Sequence, residues 1–144
     1  MKSLVIFDST FGNTKIIAEV IAKELGDECS AVSVVEFNTD ILNEVELLVV
    51  GSPIIGWKPS EKMNAFLSGL KKDQLLDIKA AAFDTRIKLF IHGDAAIKIS
   101  EILKNAGANI ISDPKPFYVR GTEGPLLEGE VSNAINWASY LRSK

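Results

Sequence analysis

Apolar and polar positions along the chain follow two periodicities. Runs rich in β-branched and other apolar residues predict five strands, at 3–8, 31–37, 47–53, 80–85 and 108–113, with the last resuming at 117–119. Between them, apolar residues recur every three or four positions and predict four one-sided helices, at 14–25, 60–72, 94–107 and 128–141. The remaining connection, 38–46, has room for one short helix.

The order of these elements predicts the fold class. Strand and helix alternate along the whole chain, which is typical of a parallel sheet covered by helices on both faces. We therefore expect a three-layer, doubly wound α/β fold that spans residues 1–144 as a single domain. In such a sheet the ligand binds at the carboxyl ends of the strands, so the informative segments are 8–14, 51–58 and 84–94.

Composition narrows the function classes. The 16 basic and 19 acidic residues are mixed along the chain, so no basic stripe for nucleic acid and no polybasic membrane patch is expected. No apolar run reaches the ~18 residues of a membrane-spanning helix, and the N-terminal apolar segment is too short for a signal peptide. The predicted location is therefore cytoplasmic. With Cys29 the only cysteine and His92 the only histidine, no metal site is expected, and a small-molecule ligand is favoured.

The segment STFGNT, residues 9–14, joins the first predicted strand to the first predicted helix. Free backbone N–H groups and the dipole at a helix N-terminus favour an anion. Ser9, Thr10 and Thr14 add hydroxyl donors, and Gly12 lets the backbone curl around the anion without an obstructing side chain. The segment therefore predicts a phosphate cradle, and ordinary helix capping is the alternative. The triphosphate-loop pattern GxxxxGK[ST] and the dinucleotide pattern GxGxxG are both missing from the sequence.

This segment resembles the phosphate loop of flavodoxins, which binds the 5′-phosphate of flavin mononucleotide (FMN). The resemblance spans the whole chain and is to the short-chain type, because no long insertion splits the fifth strand. It implies the strand order 2-1-3-4-5 and FMN as the cofactor. Phe11 stands where many flavodoxins have threonine, so one hydroxyl is lost while the backbone amide can still donate. The implied phosphate-binding residues are Ser9, Thr10, Phe11, Gly12, Asn13 and Thr14.

The segment GSPIIGWKPS, residues 51–60, resembles the flavodoxin loop on the inner face of the flavin. The resemblance implies that Ile55 packs on that face and that the Gly56 peptide flips on reduction, so that its carbonyl accepts a hydrogen bond from the flavin N5–H. Glycine suits the flip because the flipped peptide requires a positive φ. Flavodoxins often have acidic residues next, whereas this chain has Trp57 and Lys58. The implied cofactor-binding residues are Ser52, Pro53, Ile54, Ile55, Gly56 and Trp57.

The segment FDTRIKLFIHGD, residues 83–94, lies where flavodoxins place backbone donors against the flavin pyrimidine and an outer stacking aromatic residue. The resemblance implies cofactor contacts from Asp84, Thr85, Arg86 and Phe90, with Phe90 and Trp57 as the two candidates for stacking. Arg86 is the sharpest departure from the family, because a fixed positive charge beside flavin N1 and C2=O would stabilise the anionic reduced form. The alternative for Arg86 is a solvated surface side chain.

These residues favour an FMN-binding carrier that passes one or two electrons between redox partner proteins, such as a reductase or an iron–sulfur protein, with no catalytic residue of its own. One alternative is an FMN-dependent NAD(P)H:quinone-type oxidoreductase on the same fold. Another is a flavodoxin-like domain that has lost its flavin and acts as an interaction module. A signalling receiver is disfavoured because it needs a phosphorylatable aspartate after the third strand, where this chain has Gly51.

Overall fold

A central sheet with helices on both faces forms the body of the protein in the computed structural model, which describes residues 2–88 and 93–144. The strands are β1 (Ser3–Phe7), β2 (Cys29–Ser33), β3 (Leu47–Ile55), β4 (Lys58–Pro59), β5 (Lys79–Ile87), β6 (Asn109–Ile110) and β7 (Lys115–Val119). The helices are α1 (Asn13–Leu25), α2 (Glu61–Ser68), α3 (Ala96–Asn105) and α4 (Glu130–Arg142), and a short 3₁₀ helix covers Thr39–Glu44.

The strands run in the order β2-β1-β3-β5, and β6 and β7 lie one after the other along the outer side of β5. All of these pairings are parallel, and the short β4 pairs antiparallel with the end of β3. Because β6 and β7 are the two halves of the predicted fifth strand, the doubly wound fold with order 2-1-3-4-5 is confirmed. Pro116 of β7 is tolerated because this strand lies at the edge of the sheet, and Pro114 precedes the strand.

The two faces of the sheet carry separate hydrophobic cores. Successive side chains of a strand point to opposite faces, so Leu4 and Ile6 of β1 enter one core and Val5 and Phe7 enter the other. The first core is completed by α2 and α3, through Met63, Leu67, Ile99 and Leu103. The second is completed by α1, α4 and β7, through Ile17, Ile21, Phe117 and Trp137. These cores hold the carboxyl ends of β1, β3 and β5 side by side.

Some predicted boundaries are wrong in ways that matter for the site. β2 ends at Ser33 rather than at 37, because the chain turns there and the Glu36 amide bonds to the Ser33 carbonyl at 3.0 Å. Helix α2 ends at Ser68, before a glycine, instead of reaching 72. β3 and β5 extend two residues further than predicted, to 55 and 87. As a result, Ile55 and Arg86, expected in loops, lie in strands with fixed side-chain directions.

Candidate functional site

An open cleft of about 290 Å³ lies at the carboxyl ends of β1, β3 and β5. It brings together eleven of the residues that the sequence predicted for a cofactor site: Thr10, Phe11, Asn13, Thr14, Pro53, Ile54, Ile55, Gly56, Trp57, Thr85 and Arg86. Four residues that line the cleft were not among the predicted cofactor contacts, namely Ile87, Gly93, Val119 and Thr122. Val119 ends β7, so the rule that ligands bind at the carboxyl ends of strands, applied to the fifth strand, would have indicated this region.

The first wall of the cleft is the loop between β1 and α1. Gly12 has φ of 93°, a left-handed conformation that glycine adopts without steric cost, and it precedes the first helical residue. The Ser9 hydroxyl accepts hydrogen bonds from the backbone amides of Gly12 at 3.0 Å and Lys15 at 3.3 Å. Ser9 therefore braces the loop from within and does not line the cleft.

Four backbone amides of this loop remain available. Those of Thr10, Phe11, Asn13 and Thr14 have no hydrogen-bond acceptor in the part of the chain that the structure describes. All four residues line the cleft, and the last two open helix α1. A group of free donors at the positive end of a helix dipole is suited to an anion.

Two side chains predicted for the phosphate instead tie this loop to neighbouring segments. The buried Thr14 hydroxyl lies 2.8 Å from the Thr85 hydroxyl of β5. The Asn13 side-chain amide donates to the Glu123 carbonyl at 3.2 Å. The side chains hold the loop in place, and the free amides are left as its principal donors.

The second wall is a hairpin formed by the end of β3 and by β4, in which Ile55 pairs with Lys58 across a two-residue turn. Gly56 and Trp57, the central residues, have φ of 58° and 70°, the signature of a type I′ turn. We refer to residues 55–58 as the 55–58 turn. The Ile55 and Trp57 side chains are 46% and 58% exposed, so this wall presents unusually large apolar surface.

Ser52, also predicted to contact the cofactor, lies beneath this hairpin and does not line the cleft. Its hydroxyl donates to the Pro53 carbonyl at 2.8 Å and accepts from the Ser60 amide at 2.9 Å. The Ser60 hydroxyl in turn caps α2 by accepting from the Met63 amide. Ser52 therefore fixes the base of the hairpin to the start of α2.

The 55–58 turn is held against the start of α3. The Trp57 carbonyl accepts from the Asp94 amide at 3.3 Å, and the Lys98 ammonium lies 3.5 Å from the same oxygen. A β-carbon at Gly93 would fall 2.2 Å from the Trp57 α-carbon, so only glycine permits this approach. The second and third walls of the cleft are thus in backbone contact.

The third wall contains a buried ionic group. Arg86 is only 8% exposed, and its guanidinium donates to Asp84 through Nε at 2.9 Å and Nη2 at 2.6 Å. Nη2 also donates to Asp94 at 3.1 Å. We call these three side chains the Arg86 network. The alternative of a solvated surface arginine is therefore wrong. The Arg86 charge, which the sequence analysis considered without a carboxylate partner, is paired with two carboxylates.

The carboxylates of the Arg86 network also cap helix α3. Asp84, with a fully buried side chain, accepts from the amides of Ala95 at 3.2 Å and Ala96 at 2.9 Å, and it does not line the cleft. Asp94 bonds to Arg86 through Oδ2, and its Oδ1 accepts a hydrogen bond from the Ile97 amide at 2.7 Å. Burial alone would lower the pKa of Arg86, but its hydrogen bonds and Coulomb attraction to the two carboxylates raise that pKa above its ordinary value.

The remaining sequence candidates are Phe90, His92 and Cys29. Phe90 and His92 fall outside the described residues, so the choice between Phe90 and Trp57 as the stacking residue stays a prediction. Burial raises the pKa of the Cys29 thiol to about 11, which disfavours the nucleophilic thiolate at neutral pH. Within residues 2–88 and 93–144, no cluster of three or more side chains could hold a metal ion, and no helix could cross a membrane.

Comparison with known proteins gives a family match over most of the chain. The family model described as a flavodoxin domain matches residues 4–104. No curated protein sequence matches the chain.

Solved structures match the fold over nearly the whole chain. A flavodoxin from the domain Archaea is 23% identical, with a TM-score of 0.80 over 99% of this chain and 97% of that one. Flavodoxin 2 from Bacillus cereus is 22% identical, with a TM-score of 0.83 over 99% of each chain. A WrbA-like flavodoxin from Agrobacterium tumefaciens is 14% identical, with a TM-score of 0.79 over 99% of this chain and 95% of that one.

Proposed function

Because the chain belongs to the flavodoxin domain family, we propose that it binds FMN in the cleft and carries electrons between redox partner proteins. The family implies a flavin cofactor, and FMN is our specific proposal. The observation that carries it is the group of four free amides at the start of α1, which opens directly onto an apolar-walled cleft.

The residues present fit both ends of FMN. The amides of Thr10, Phe11, Asn13 and Thr14 would hold the phosphate, and we call segment 9–14 the phosphate end of the cleft. The exposed side chains of Ile55 and Trp57 would be covered by the flavin ring, which accounts for apolar surface that water otherwise contacts. The 55–58 turn and the Arg86 network together form the ring end. A volume of about 290 Å³ in an open cleft suits a ligand that stays partly in contact with solvent.

Bound FMN would supply the chemistry, by accepting and donating one or two electrons. The chain would bind and orient it. In this proposal the Gly56 carbonyl would accept a hydrogen bond from a protonated nitrogen at the ring edge, and Arg86 would supply a cation in the wall beside it. The exposed ring edge would face the redox partner, and a cytoplasmic location is part of the same proposal.

The test compares two ligands that differ only in the phosphate. We expect the purified protein to bind FMN, with quenching of flavin fluorescence and a shifted visible spectrum. Riboflavin should bind more weakly by at least about 100-fold, since hydrogen bonds to a charged group contribute about 1.5–3 kcal/mol each. Equal affinity for the two ligands would remove the phosphate role of the loop. No binding of either would refute the proposed function.

The second candidate is an FMN-dependent oxidoreductase, which the same cleft could serve. An assay of steady-state NADH or NADPH oxidation with a quinone as acceptor distinguishes this enzyme from an electron carrier. A carrier should show no turnover above the rate of free FMN. Turnover that saturates with the quinone would favour the enzyme.

A further inference from the structure

The Arg86 network has a defined orientation with respect to the cleft. Arg86 lines the cleft, whereas Asp84 and Asp94, which hold its guanidinium, do not. The cation is therefore the member nearest to a bound ligand, and the two carboxylates stand behind it. The arrangement is built into the fold, because both carboxylates also accept amides of the first turn of α3.

The charges and contacts of the three side chains show which charge of the Arg86 network can be removed while the others stay in place. Arg86 and Asp84 alone form a neutral, two-point pair, and Asp94 adds a second negative charge, so that the network sums to −1. Asp84 is 0% exposed and accepts four hydrogen bonds, two from Arg86 and two from backbone amides. Asp94 is 27% exposed and makes a single contact with the guanidinium. Asp94 is therefore the member whose charge can change without dismantling the pair.

We propose that Asp94, acting through Arg86, is a positioning residue that sets how strongly the ring end favours an anionic reduced flavin. The inference rests on the proposed FMN site and concerns its regulation by this chain's own charges. With Asp94 ionised, part of the Arg86 charge is compensated. Without that carboxylate, the cation facing the cleft keeps its pairing with Asp84 but loses the compensating charge of Asp94, and the potential at the ring end becomes more positive.

The decisive variant is Asp94→Asn. Asparagine caps helices as well as aspartate does, so its amide oxygen can still accept the Ile97 amide while the charge is removed. The readout is the midpoint potential of bound FMN for the step that forms the anionic reduced flavin. We expect the equilibrium constant of that step to rise about tenfold, which corresponds to about 59 mV for one electron. Asp94→Ser, with a different capping side chain, should give the same shift if the first variant folds poorly.

Asp77→Asn is the matched control. It makes the same change in net charge just before β5, at the opposite end of that strand from Arg86. Arg86 lies seven residues after Lys79 along β5, a distance of roughly 23 Å, which is more than two Debye lengths at physiological salt. The control should leave the midpoint potential unchanged.

Arg86→Gln should shift the midpoint potential in the opposite direction, because it removes the cation and leaves the two carboxylates. We expect it to lower the equilibrium constant for the same step. The inference is overturned if Asp94→Asn and Asp94→Ser bind FMN but shift the potential no more than Asp77→Asn does, or shift it downward. Failure of the wild-type protein to bind FMN would instead refute the proposed function, and the inference with it.

Discussion

The phosphate end and the ring end of the cleft use different parts of the polypeptide. At the phosphate end the free groups are backbone amides. The Asn13 and Thr14 side chains bond to neighbouring segments, and the Ser9 side chain bonds to the Gly12 and Lys15 amides. At the ring end the exposed groups are the side chains of Ile55 and Trp57, while the Trp57 carbonyl accepts a hydrogen bond from the Asp94 amide. The phosphate end should therefore tolerate side-chain changes better than the ring end, where each side chain has a specific place.

The two ends also differ in how they are connected to the core. The phosphate end is a short loop between consecutive elements, β1 and α1, and needs few distant contacts. The ring end joins β3, β5 and the start of α3 through the Arg86 network and the contact of Gly93 with Trp57. Damage to the ring end should consequently reduce stability as well as cofactor binding.

The largest effect is expected for Asp84→Ala. This change leaves the buried Arg86 guanidinium without its two-point partner and removes the acceptor for the Ala95 and Ala96 amides at the start of α3. Breaking a buried pair in this way costs about 3–5 kcal/mol of unfolding free energy. Chemical denaturation without cofactor measures it. Glu44→Ala, which removes an exposed ion pair with Lys2, serves as the control and should change little. A similarly small loss for Asp84→Ala would mean that the ring end is not structurally coupled to the core.

Gly93→Ala should disturb the ring end of the cleft and leave the phosphate end unchanged. The added β-carbon would meet the Trp57 backbone at 2.2 Å and push the 55–58 turn away, at a cost of about 1–3 kcal/mol. Both FMN and riboflavin should bind more weakly, while their affinity ratio stays constant because the phosphate end is untouched. Titration of both ligands checks this result. Gly121→Ala is the control, since nothing lies within 4 Å of its β-carbon. A changed ratio in Gly93→Ala would contradict the independence of the two ends.

Ser9→Ala tests the phosphate end in the same way. It removes the acceptor of the Gly12 and Lys15 amides and so loosens the loop, which we expect to cost about 1 kcal/mol of unfolding free energy. FMN affinity should fall roughly fivefold, and riboflavin affinity should not change, because only the phosphate depends on the loop geometry. Equal losses for the two ligands would show that this loop also shapes the ring end.

The smallest effect is expected for Thr10→Ala. The Thr10 side chain is exposed, and its hydroxyl has no bond within the described residues, whereas its backbone amide is unchanged by the substitution. We expect FMN affinity to fall less than about threefold, within the ±0.5 kcal/mol typical of surface changes. Fluorescence titration with FMN measures this change in affinity. A loss above tenfold would mean that hydroxyl groups, and not amides, dominate the phosphate end.

The sequence by itself predicted the alternation of strands and helices and the position of the loop at 9–14, but not every element boundary. Strand and helix periodicities are local properties, so they predicted the alternating fold and the position of segment 9–14 between β1 and α1. The pattern of small residues and one glycine in that segment was also sufficient to predict a loop of donors, because the first amides of a helix have no acceptor within the helix itself. It did not reveal that Ser9 and Asn13 would serve the loop itself.

Only the tertiary structure decided the ring end. Asp84 and Arg86 lie two residues apart, and their side chains share a face only because β5 continues to Ile87. Asp94 reaches the same guanidinium because α3 starts beside the end of β5, and Val119 enters the cleft because β7 pairs with Ile87. These contacts depend on strand register and on the way the helices pack against the sheet. Local periodicity carries neither piece of information, since both arise when distant segments are packed together.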